Sequence, residues 1–138
     1  DKAFLDLTEG AEAAPDTVYF KGREIPVPLA ARGVARFSFA ELCEKPLGPG
    51  DYLAIAGLYH TLVLSGVPSL SLEKRNEARR FMTLIDALYE HRVKLVVSAA
   101  APPERLYPAG DGAIEFQRTV SRLQEMRSAD YIGKAHMT

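Results

Sequence analysis

The stretch that decides the fold runs from Tyr59 to Pro108, YHTLVLSGVPSLSLEKRNEARRFMTLIDALYEHRVKLVVSAAAPPERLYP, and leads into a second helical run at Phe116–Met126, FQRTVSRLQEM. Leu62-Val63-Leu64 is an apolar run too short for a buried helix, and Gly66 and Pro68 end it, so it reads as a buried strand over 62–67. Ser71 then offers a side-chain oxygen to unpaired backbone amides, with Glu73 in the first turn. Ala78, Phe81, Met82, Ile85, Leu88 and Tyr89 follow at three- and four-residue steps, which predicts one long amphipathic helix. Val93–Val97 is apolar again and predicts a second buried strand, 93–98.

Strand, helix and strand with short links require a parallel pair and a right-handed crossover. Working toward the amino terminus, ARFSF (35–39) alternates as a short strand and AELCE gives a helical turn. Pro46, Gly48, Pro49 and Gly50 then break the chain. Asp51 starts or caps a helix over YLAIAGLY, whose Leu53, Ile55, Ala56 and Leu58 predict that it is largely buried. The expected class is α/β, with three parallel strands (35–39, 62–67 and 93–98) flanked by helices. A β-hairpin is expected over 17–29, with Lys21-Gly22 at its turn. Pro26 and Pro28 cannot donate to a ladder, so its second strand should be short or at a sheet edge, and the hairpin should stand outside the core. Residues 1–16 read as a helical or irregular lead-in to a single domain spanning 1–138. Pro102–Gly112 reads as a loop, and the last helix, 115–128, buries Phe116, Val120, Leu123 and Met126.

Bulk properties narrow the function. The chain has 138 residues, is 47% hydrophobic and 25% charged, and carries a net charge of −1. That is an ordinary globular composition with no global field to attract nucleic acid or anionic lipid. Cys43 is the only cysteine, which excludes an internal disulfide and favours a reducing compartment. His60, His91 and His136 lack metal-ligand spacing, so no metal site is expected. No apolar run is long enough to span a membrane. Asp1 stands where an initiator methionine would, and the expectation is a longer parent protein.

In parallel sheets, ligands gather at the carboxyl ends of the strands. Those ends carry Ser65-Gly66 and Ser98-Ala99, whereas an ATPase places an acidic pair there to hold Mg2+. No glycine opens a GxxxxGK[ST] phosphate loop. The residues left to consider are Arg75, Asn76, Glu77, Arg79 and Arg80 on the long helix, and Arg118, Ser121 and Arg122 on the last. Each group reads either as a solvated helix face or as an interface or phosphate-reading patch, since arginine presents a fork suited to phosphate and carboxylate. Arg118 and Arg122 share one helix edge and would face a nucleotide or a neighbouring subunit. Asp86, beside the apolar stripe, suits a salt-bridge partner better than a catalytic base.

Three segments, ARGVARFSFAELCEKPLGPGDYLAIAGLYHTLVLSGVP (31–68), RNEARRFMTLIDALYEHRVKLVVSA (75–99) and EFQRTVSRLQEMRSADYI (115–132), resemble the carboxy-terminal part of the ZapE family. These are AAA+-like P-loop ATPases that include the mitochondrial Afg-one-like proteins, and the resemblance covers about residues 17–131. It implies a larger ATP-hydrolysing parent that uses ATP and Mg2+, with none expected on this chain because the family's phosphate loop and acidic motif lie upstream of the matched part. It also implies partners: the FtsZ-type ring of bacterial cell division, or membrane-associated proteins in quality control. Self-association is a further expectation, and the location implied is cytoplasmic or peripheral to the inner membrane. The matched polar residues are those two arginine-bearing groups, with Thr119. The alternative expectation is a non-catalytic protein-docking module.

Overall fold

The computed structural model describes residues 2–108, 110 and 112–138. The expected lead-in over 1–16 and loop over 102–112 include Asp1, Ala109 and Asp111, which lie outside the described residues.

The sheet has five strands in the order β1-β2-β3-β4-β5: Ala14–Phe20, Arg23–Ala31, Val34–Ser38, Thr61–Val67 and Lys94–Ala99. β3–β4 and β4–β5 are parallel, as the crossover argument requires, with Phe37 opposite Leu64 and Leu62 opposite Leu95. The expectation of a three-stranded sheet is corrected, because β1 and β2 extend it antiparallel, with Ala30 of β2 opposite Ala35 of β3. The hairpin also belongs to the core, since Val18, Ile25 and Val27 are buried in the main apolar cluster. Nor is β2 an edge strand: it lies between β1 and β3. The prolines are accommodated because β3 pairs only with Leu29–Ala31. Pro26 and Pro28 thus sit where β2 has a ladder neighbour on the β1 side alone, and the β1–β2 register shifts beside Pro28.

One face of the sheet carries α2 (Phe39–Cys43), α3 (Pro49–Leu58), α4 (Arg75–Glu90) and α6 (Ala113–Glu125). Between sheet and helices, Phe39, Phe81 and Phe116 pack in series with neighbouring centroids 6.1 Å apart, the first pair tilted and the second stacked. The apolar stripe on α4 points into this layer, with Ala78, Phe81, Leu84, Ile85 and Leu88 buried. The other face has a small cluster, Phe4 of α1 (Lys2–Leu7) over Val34 and Val63.

Local chemistry sets the ends of these helices. Ser38 Oγ accepts from the Glu41 amide while Glu41 Oε1 accepts from the Ser38 amide at 2.7 Å, a reciprocal cap on α2. At α3, Asp51 Oδ2 accepts from the Gly48 amide at 2.8 Å, as its position in the sequence suggests. Ser71 does not cap α4: a 3-10 turn, Leu72–Lys74, intervenes, and Ser71 makes no side-chain cap bond there. α3 is less buried than its composition suggests, with Leu53 and Leu58 exposed, because only its Tyr52, Ile55 and Ala56 side faces the core. β5 departs further from expectation. It is a boundary strand whose Val96 and Val97 are exposed. The 102–112 stretch contains a helical turn, α5 (Pro103–Leu106), that its prolines start rather than break.

Candidate functional site

The carboxyl ends of the parallel strands bring together Ser38, Ser65, Gly66 and Ser98. The Gly66 amide donates to Ser98 Oγ at 3.1 Å, tying the ends of β4 and β5 where their pairing becomes irregular. Arg36, which the alternation of β3 places opposite Phe37, shares a shallow hollow with Ser38, Glu41 and Ser65. Sequence reasoning did not single out this arginine, although the alternation in ARFSF was the signal for it.

These residues do not fit Mg·ATP. Ser65, Gly66 and Ser98 supply no carboxylate, and Glu41 is committed to the α2 cap. Among the described residues, no group of three or more His, Cys, Asp or Glu could hold a metal ion.

The two arginine groups do not converge on one site. On α4, Arg80 Nη1 donates to the Cys43 carbonyl at 3.0 Å, so it closes the carboxyl end of α2. Arg75, Asn76 and Arg79 are exposed and Glu77 is half-buried. Thr83 Oγ1 donates to the Arg79 carbonyl at 3.0 Å. On α6, Arg118 Nη2 meets Asp86 Oδ2 at 3.0 Å, and Arg122 Nη1 meets Asp86 Oδ1. Both guanidinium groups thus grip one carboxylate of α4, which supports the salt-bridge reading of Asp86. Thr119 is buried and Ser121 exposed.

The grip is extended by aromatic contacts. Arg122 lies over Tyr89, whose hydroxyl donates to Glu125 Oε2 at 2.6 Å. That hydrogen bond to a carboxylate, ahead of desolvation, raises the pKa of Tyr89. Tyr89 stacks on Tyr131 of α7 (Ala129–Ile132) with centroids 5.8 Å apart, and Tyr131 donates to the Val93 carbonyl at 2.7 Å. Burial is the main cause of the upward shift at Tyr131. The chemistry of this cluster is structural, binding α4, α6 and α7 to the start of β5.

The profile of the AFG1-like ATPase family matches residues 1–135, and the chain belongs to that family. Among curated proteins it is 40% identical over 141 residues to "Cell division protein ZapE" of Escherichia coli K12, covering 99% of this chain and 36% of that protein. It is 36% identical over 149 residues to "Lactation elevated protein 1 homolog B" of Danio rerio, covering 85% of this chain and 30% of that one. A Schizosaccharomyces pombe protein is likewise 36% identical over 148 residues, covering 87% of this chain and 33% of its own length. The chain therefore spans about a third of the length of the curated relatives it matches. No solved structure matches.

Proposed function

We propose that this chain is a non-catalytic α/β portion of an ATP-hydrolysing protein, with no nucleotide site of its own. The observation that carries this is the chemistry at the carboxyl ends of β3, β4 and β5. Ser65, Gly66 and Ser98 stand where metal-holding acids belong, and Ser98 is bonded to Gly66. Charge-paired Arg118 and Arg122 support the same reading, because an arginine gripping Asp86 is spoken for within the fold. The test is turnover of Mg·ATP by the purified chain. Background-level hydrolysis is expected, and single-site turnover overturns the proposal.

Within that reading, a docking role is favoured by one specific feature, the exposed boundary strand β5. The name of the Escherichia coli relative, a cell division protein, makes that machinery the first place to look for a partner, and the family resemblance adds a protein of the FtsZ type, on the cytoplasmic side of the membrane, as the candidate. Among the described residues no helix is long and apolar enough to cross a membrane. Deleting the matching segment from the Escherichia coli relative separates the roles. Preserved turnover with lost partner binding supports docking, and lost turnover makes the segment part of the ATPase machinery.

A further inference from the structure

β5 ends the sheet, with β4 on one side. The Lys94 amide donates to the His60 carbonyl at 2.9 Å. Parallel pairing alternates, so the N–H and C=O groups of Leu95 and Val97 turn away from β4 toward open space. The β4–β5 register is regular as far as Leu64 opposite Val97 and shifts only beyond it, so this part of the edge is straight. Water-facing edges are ordinarily guarded by charge, proline or a bulge. Residues 95–99, LVVSA, hold neither charge nor proline.

Beside this edge runs a groove of about 470 Å3, with Leu95, Val97 and Ala99 on the strand side and Phe81, Leu123 and Met126 on the helix side. Among the described residues Arg127 is the one charged member of its lining, and it is exposed. An unused backbone ladder and an apolar trough beneath alternate positions are the two elements of strand addition, and Arg127 adds a cation at the rim.

We propose that β5 and this groove receive an extended segment of a separate polypeptide as a sixth strand. Its alternate apolar side chains enter the groove, and it carries a carboxylate that meets Arg127. The charge argues against a second copy of the chain as occupant: its own β5 brings Lys94 and no acid, leaving Arg127 without a counter-charge. This inference rests on the docking reading and names its surface. Its failure would leave the ATP-turnover result untouched, so the two are judged separately.

The test uses the whole chain and a fluorescent, end-blocked hexapeptide, Val-Thr-Val-Thr-Asp-Thr, whose Asp shares the face of its two valines, with a twin carrying Lys for Asp. The acidic probe should bind, slow hydrogen exchange at the Leu95 and Val97 amides, and outcompete the lysine twin. Arg127→Glu should weaken the acidic probe about tenfold and reverse the preference. Val97→Asp, with far-ultraviolet circular dichroism to confirm folding, should abolish binding of the acidic probe from the groove side. Equal affinity for both probes, unchanged exchange in β5, or a free chain already dimeric with these amides protected would each overturn the proposal, the last by making a second copy the occupant.

Discussion

The Arg122 guanidinium stands 5.0 Å from the centroid of the Tyr89 ring while one of its nitrogens bonds Asp86, so a single side chain of α6 engages two residues of α4 a turn apart. Arg118 reaches the same carboxylate from a position that is 67% exposed, against 27% for Arg122. Solvent weakens the outer pair, and the ring contact adds only to the inner one. Arg122→Ala should therefore lower stability by about 1–2 kcal/mol and Arg118→Ala by about 0–0.5 kcal/mol. Urea unfolding reads both, and a double-mutant cycle with Asp86→Ala measures the coupling. Equal costs for the two arginines would refute this ranking.

Gly33 precedes β3 in the turn from β2, at a φ of +76°. A Cβ there would lie 2.6 Å from Cδ2 of His60, whose Nε2 bonds the Arg32 carbonyl at 2.8 Å. Left-handed backbone and overlap with a held ring act together, so Gly33→Ala should cost about 2–4 kcal/mol. Adding His60→Ala removes the overlap and leaves the backbone part. A double variant as impaired as the sum of its singles would show that the ring is not the obstacle.

Asp51 is buried at the start of α3, bonding the Gly48 amide and pairing with Arg23 at 3.2 Å. Asp51→Ala strips the helix cap and releases a half-exposed arginine to water, a loss of about 2 kcal/mol by thermal or chemical unfolding. A change below about 0.5 kcal/mol would mean the cap is replaceable.

Burial pushes the Cys43 thiol up from its ordinary 9.0 to about 12, with Arg80 drawing it partly back. The folded chain therefore holds this proton in a window where the unfolded chain has released it. Raising the pH through that window favours unfolding, so the thiol's contribution is present below pH 9.0 and is lost toward about 12. Tyr52, Tyr59 and Tyr131, raised mainly by burial, act in the same direction at higher pH, whereas desolvation lowers Lys94 and acts against them. Comparing the alkaline stability profile with that of Cys43→Ala isolates the thiol. The variant should show a shallower decline, and parallel profiles would remove Cys43 from the account. The same burial predicts that thiol reagents label Cys43 only through unfolding.

The parallel unit was readable because Leu62-Val63-Leu64 and Val93–Val97 are compact apolar runs around a helix with one uninterrupted stripe. The place of the hairpin was not. Pro26 and Pro28 argue against an inner strand only if neighbours pair along its whole length, and β3 uses just its last three residues. β5 misled in the opposite sense: an apolar run looks the same whether a sheet continues past it or stops. At the candidate site, helical spacing placed Arg118 and Arg122 on one edge. Their partner Asp86 lies 32 and 36 residues away, where only tertiary packing brings it into reach. Arg80 was misleading for a like reason, its acceptor being a backbone carbonyl that sequence does not mark.

The spatial order of the strands repeats their order along the chain, β1 through β5. Each new strand therefore needs only its immediate predecessor as a template, and none has to wedge between two already joined. A chain emerging from the ribosome can lay the sheet down from one margin to the other, starting with a hairpin closed by the short turn at Lys21-Gly22. Vectorial growth of this kind leaves the latest-made strand outermost.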